Sequence, residues 1–205
     1  MGLFDFLFKK QKKDAPNVAA GDENASVEEV VEPSYPKLVA TPDFSRTIEE
    51  KHAVFEYIDF KVAGTYYYQK EIKQAIKLEM ENGIYFDERY QGMTNKEIIE
   101  DTYDEPIFQY DGALFSDAFV ILEPENEYDP EAIAVYINDL KVGHVPKKEF
   151  EEGKKYIYDL MAGGKNPHLS LSLTGGRYKV NRDDEIATGE SAYKLEGQLV
   201  IRTEK

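Results

Sequence analysis

Residues Phe119–Pro146 read FVILEPENEYDPEAIAVYINDLKVGHVP, and no other stretch restricts the fold of this chain as tightly. Phe119–Leu122 and Ala132–Ile137 are apolar runs of four and six residues, bounded on each side by turn-forming residues. Runs this short and this bounded are expected as buried strands. Between them lies a polar corner, Asn126-Glu127-Tyr128-Asp129-Pro130, in which Asn126 can make a local side-chain turn and Asp129-Pro130 suits a bend. After the second run, Asn138-Asp139 signals a two-residue hairpin turn into Leu140–Val145.

The rest of the chain alternates between the periods of strand and helix. Ala53–Val62 reads as a strand that ends in Gly64-Thr65-Tyr66-Tyr67-Tyr68. Gln69–Asn82 then switches to helical spacing, with Ile72, Ala75, Ile76 and Met80 on one side and Gly83 as the stop. Thr94 and Glu97 form a capping-box pattern for a short helix carrying Ile98 and Ile99. Pro146 is expected to open a helix whose Phe150, Ile157, Leu160 and Met161 share a face, ended by Gly163-Gly164. Leu169, Leu171 and Leu173 alternate with serines, and Tyr193, Leu195, Leu199 and Ile201 alternate in a last strand. The expected class is mainly β with a few helices (α+β). Five or six short strands and a crossing helix make a small β-barrel whose order fits an OB-like one, with a helical acidic insertion at about residues 69–118.

Three segments are expected. Met1–Lys13 places Leu3, Phe4, Leu7 and Phe8 on one helical face, followed by four lysines. This amphipathic segment can touch an anionic membrane weakly, or it can be a frayed tail or a helix that docks on a partner. Residues 14–46 carry Pro16, Pro33, Pro36 and Pro42 without an apolar period and read as a disordered linker, with order beginning near Thr47 and one domain over 47–205. The chain has no Cys, which removes disulfides and thiolate chemistry and fits a reducing cytosol. The apolar Leu3–Phe8 precedes its lysines instead of following them, unlike a secretory signal, so a cytoplasmic protein is expected, peripheral to a membrane if the N-terminal segment inserts. Net charge is −15, and residues 47–205 hold 19 basic against 32 acidic side chains. A surface this acidic cannot neutralise phosphates over a broad face, so any nucleic-acid contact must be local.

No phosphate loop, nucleophile elbow, His-Glu-x-x-His or Cys/His metal spacing occurs, so no catalytic centre, cofactor or metal is expected. The carboxylates Glu123, Glu125, Glu127, Asp129 and Glu131 lack the distal Asp/His set of a two-metal site and read as a solvated acidic corner. Asp183-Asp184-Glu185 reads as a turn.

The corner and the Val-Gly-His-Val-Pro step after it closely resemble the HIRAN domain, a small β-barrel module found alone in bacteria and phages and attached to helicase-like proteins elsewhere. Phe60–Tyr68 (FKVAGTYYY) looks like that family's first strand, and Leu173–Val180 (LTGGRYKV) looks like the form seen in stand-alone bacterial members. The resemblance implies a non-catalytic module that holds the free 3′ end of single-stranded DNA in a repair, replication or phage-related setting. It assigns Tyr128 and Asp129 to recognition of the end, Tyr67 and Tyr68 to base stacking and His144 to phosphate. Two departures stand out. Tyr66 occupies the place of the arginine that precedes the aromatic pair in helicase-linked members. About fifty residues, with nine acidic and two basic side chains within Ile84–Ala118, replace a short connection. That insertion can line the pocket or bind a basic protein, and the second option defines an alternative reading as a protein-interaction adaptor.

Overall fold

The computed structural model describes residues 37–39, 43–82, 86 and 88–205. The amphipathic segment Met1–Lys13, most of the expected linker and Gly83 lie outside the described residues. Eleven strands and three α-helices are present among those described. Five strands form one antiparallel sheet in the order β1 (Lys37–Val39), β2 (Arg46–Glu49), β3 (Ala53–Lys61), β11 (Lys194–Glu204), β8 (His168–Thr174). A second sheet orders β5 (Ala118–Glu123), β6 (Ala132–Ile137) and β7 (Leu140–His144). The third orders β10 (Glu185–Glu190), β9 (Arg177–Arg182) and β4 (Ile107–Phe108). Strand β1 lies inside the stretch expected as linker, where its backbone pairs with β2 at Lys37–Glu49, Leu38–Ile48 and Val39–Thr47.

The protein is therefore mostly β with few helices, and its three sheets do not close into one ladder. The insertion pairs with one side of the five-stranded sheet. Its segment 112–115 takes the free edge of β8: Gly112 N–H donates to Leu173 O (2.8 Å), Phe115 N–H to Leu171 O (3.0 Å), and Leu173 N–H to Ala113 O (2.9 Å). With those groups satisfied, this end of β8 is not open to another strand.

Helix α1 spans Gln69–Asn82, as the period requires. Ile72, Ala75 and Ile76 are buried, but Met80 is 42% exposed and Glu79 is buried in its stead. A buried carboxylate needs donors, and Ser116 supplies them through its backbone N–H (3.0 Å) and its hydroxyl (2.8 Å). Helix α2 (Asn95–Asp101) carries the expected capping box and buries Ile98. The insertion also adds Phe86, Tyr110 and Phe115 to the core, with ring centroids 5.3–5.4 Å apart. Its apolar side is thus structural, while its described carboxylates are exposed apart from buried Glu79 and half-buried Glu71.

Helix α3 runs Glu151–Ala162, five residues later than Pro146 would start it. Glu149 takes a left-handed φ of 65°, which breaks the path between proline and helix. The delay leaves Lys147 on a turn outside the helix.

Candidate nucleic-acid interface

The acidic corner is built by Asn126. Its Oδ1 accepts the backbone N–H groups of Tyr128 and Asp129, both at 3.1 Å, and its Nδ2 donates to Glu123 Oε2 at 3.2 Å. This side-chain turn fixes the backbone with Tyr128 directed outward, 93% exposed among the described residues. Asp129 turns the other way. Its Oδ2 meets Lys154 Nζ at 2.5 Å, and its Oδ1 accepts the Glu131 N–H at 3.2 Å and lies 4.0 Å from Lys147 Nζ. Lys154 is nearly fully buried, at 4% side-chain exposure, whereas Lys147 is open to solvent. Burial alone would raise the Asp129 carboxyl. The hydrogen bond and charge of Lys154, with help from Lys147, more than offset it and hold the group below its ordinary value.

Glu123 is the second neutralised carboxylate. Its Oε1 accepts from Lys141 Nζ at 2.5 Å, and its Oε2 lies 3.0 Å from His144 Nε2. With Glu123 ionised, Nε2 must carry the proton to make that contact. Desolvation opposes the charge on Glu123, but Lys141, His144 and Asn126 together lower its carboxyl below the usual range.

Lys141 and His144 are three residues apart and would face opposite sides of a regular strand. The register shift between Val135 and Tyr136 puts one extra residue into β7, so that Tyr136 faces Lys141 while Ala134 faces His144. This β-bulge turns both side chains to the face that carries Glu123, which sits opposite Ala132 two residues along β6.

Gly143 joins this cluster to the tyrosines. A Cβ there would come within 2.5 Å of Ala63 O and of Val62 Cγ1, so only glycine lets β7 lie against the end of β3. The approach is fixed by two hydrogen bonds, Ala63 N–H to His144 O (2.8 Å) and His144 N–H to Ala63 O (3.0 Å). Gly64, left-handed at φ 79°, then starts a tight 3₁₀ turn over Thr65–Tyr68. Gln69 clamps it, donating to Thr65 O and Tyr193 O and accepting from Tyr193 N–H, each at 2.9 Å. Tyr68 is half-buried with its ring 6.5 Å from the His144 ring. Tyr67 is 84% exposed and touches Tyr66 edge-on at 5.8 Å.

A family model for the HIRAN domain matches residues 55–159, just over half of the chain. The chain belongs to the HIRAN family. No curated protein and no solved structure matches it. HIRAN domains are nucleic-acid-binding modules, and the matched stretch contains every residue described above except Tyr193.

Of the five residues singled out from the HIRAN motifs, Tyr68, His144, Tyr128 and Asp129 lie along one continuous network that runs through Glu123 and Asn126. Tyr67 stands apart from it, on the outer side of the tyrosine turn. Four contributors escape the motifs: Glu123, Lys141, Lys147 and Lys154. Lys147 follows Pro146 directly, and Lys154 lies seven residues on, two helical turns away, a spacing that signals a shared face only if the helix begins at Pro146. It does not, so the sequence carried no usable signal for them.

Proposed function

We propose that this HIRAN domain is a non-catalytic module that holds the 3′ end of single-stranded DNA, working beside other proteins in a repair, replication or phage-related setting. The observation that carries the reading is Tyr128: an ordered, hydrogen-bonded corner keeps a large aromatic ring almost wholly in solvent, next to a carboxylate already matched by a buried lysine. An exposed ring costs solvation and contributes nothing to this fold, whereas a DNA base stacking on it gains about 1–3 kcal/mol.

The chemistry of an end fits the neighbours. Asp129 retains lone pairs beyond those used by Lys154 and the Glu131 N–H, so a 3′ hydroxyl can donate to it. Lys154 offsets most of the charge of Asp129, so the exposed Lys147, 4.0 Å from the same carboxylate, can turn to meet the last phosphodiester. A terminal 3′ phosphate would set an anion against the acceptor lone pairs of the same carboxylate and be rejected. Tyr67 and Tyr68 give the preceding bases further stacking surface. His144, whose Nε2–H is given to Glu123, offers Nδ1 as an acceptor for a base or sugar donor in place of a phosphate contact.

The test is fluorescence anisotropy of a 5′-labelled oligodeoxynucleotide at low salt, comparing a free 3′ hydroxyl with a 3′ phosphate. A preference of about tenfold or more for the hydroxyl, equivalent to about 1.4 kcal/mol, is expected. Folded protein that binds neither end would overturn the reading in favour of an adaptor that recruits a basic protein through the exposed carboxylates of the insertion.

A further inference from the structure

Beyond the tyrosine turn lies a cavity of about 430 Å³ that none of the residues discussed so far occupies except by its rim. Thr65, the first residue of the turn, is part of its wall, together with Lys61, Lys194, Thr174, Ser191 and the ring of Phe108. The cavity owes its shape to Gly175 and Gly176, left-handed at φ 83° and 82°. A side chain at Gly175 would run into Ala192 O, and one at Gly176 into the Tyr193 ring, so the pair lets residues 191–193 fold down against the end of β8.

The charge of this cavity is opposite to that of the chain. Among the described residues neither Lys61 nor Lys194 takes part in an ion pair. Glu196, the one carboxylate on the wall, faces Lys61 in the β3–β11 ladder without closing on it. Lys194 lies two residues before Glu196 on β11, which makes it the diagonal neighbour of Lys61 on the same face. Diagonal neighbours sit roughly 7 Å apart, a spacing at which one phosphate can bridge two ammonium groups. The hydroxyls of Thr65, Thr174 and Ser191 add donors without adding charge. In a chain of net charge −15, two lysines outside any described ion pair, set against the single carboxylate of Glu196 and joined by three hydroxyls, give one concave space a locally positive lining.

We propose that this cavity binds a backbone phosphate of the same DNA strand, several nucleotides upstream of the 3′ end. The proposal rests on the end-binding reading above and extends it: the strand passes from Asp129 and Lys147, past His144 and Tyr68, over the exposed rings of Tyr67 and Tyr66, and into the Lys61–Lys194 cavity at Thr65. It gives the module a minimum ligand length in addition to an end preference.

The test compares the full chain with its Lys61→Gln/Lys194→Gln variant, both exposed positions, using 5′-labelled oligodeoxynucleotides of three and twelve nucleotides with free 3′ hydroxyls. Wild type is expected to hold the longer strand at least tenfold more tightly. The variant should lose that advantage while binding the trinucleotide within about twofold of wild type. Its salt dependence on the longer strand should become shallower by about 0.7, the value for one phosphate contact to a single strand. Equal loss on both lengths, or no loss on either, would overturn the upstream site and leave end recognition standing. Wild type that binds neither oligonucleotide would reject the end-binding reading and the extension with it.

Discussion

The acidic corner and the insertion are both rich in carboxylates, yet they treat them in opposite ways. In the insertion the described carboxylates are exposed, apart from Glu71, which is half-buried, and Glu79, which is buried in α1 and held by Ser116. At the corner, Glu123 and Asp129 are drawn in against Lys141, His144, Lys147 and Lys154. Composition therefore misleads about the site. The acidity that argues against nucleic-acid binding is spread over exposed surface, Glu125, Glu127 and Glu131 of the corner included, whereas Glu123 and Asp129 are already matched by cations. What the comparison teaches is that net charge does not report how carboxylates are paired at one place on the surface.

Removing the cation under Asp129 should break the comparison most severely. Lys154→Met strands a mostly buried carboxylate, and a loss of about 2–3 kcal/mol in denaturant unfolding is expected, since removing one partner of a buried pair is strongly destabilising. Neutralising a solvent-exposed pair such as Lys77–Glu81 should leave the unfolding midpoint where it was. Asp129→Ala/Lys154→Met should recover much of the loss, because neither charge is then left alone.

Gly143→Ala attacks the junction instead. The added methyl collides with Ala63 O and Val62 Cγ1, so a cost of about 1–3 kcal/mol is expected, with a parallel fall in DNA affinity as the tyrosine turn separates from His144. If stability falls but affinity does not, the junction is structural and the turn acts independently of β7.

Tyr128→Ala should invert that pattern. Because its ring is exposed, unfolding should change by less than about 0.5 kcal/mol. Affinity for single-stranded DNA should drop by about tenfold, within the range of one lost base stack. A stability loss without an affinity loss would return Tyr128 to a packing role.

The smallest effect is with acid. Asp129 and Glu123 both have carboxyls lowered in the folded state, so their contribution is complete above the ordinary carboxylate range and fades as pH falls through the folded values. Unfolding curves should show the stability gap between wild type and Asp129→Ala/Lys154→Met flat above about pH 5 and narrowing below about pH 4. A gap that narrows between pH 6 and 8 would assign it to another group.

Much of this fold is legible in the residues themselves. The boundaries of α1, the Thr94–Glu97 capping box and the Asn138-Asp139 turn depend on local spacing and are present as expected. Strands β9 and β10 are harder to read, since Arg177–Arg182 and Glu185–Glu190 alternate charge with little apolar content and pair through Asp183 and Asp184, both at positive φ. The site shows the same divide. Asn126 acts within three residues and its turn can be read from the sequence, whereas Glu123 meets Lys141 and His144 only because a β-bulge re-aims β7. Lys154 reaches Asp129 across 25 residues, once α3 has started late. Contacts that depend on a bulge or on a displaced helix start leave no periodic trace.

The most direct test of the central account measures the ratio of affinities for a 3′ hydroxyl and a 3′ phosphate end in wild type and in Asp129→Ala/Lys154→Met, after confirming that both unfold cooperatively. The account predicts a ratio of about ten or more that collapses toward one in the variant. A ratio that survives in the folded variant would contradict it and move end recognition away from Asp129.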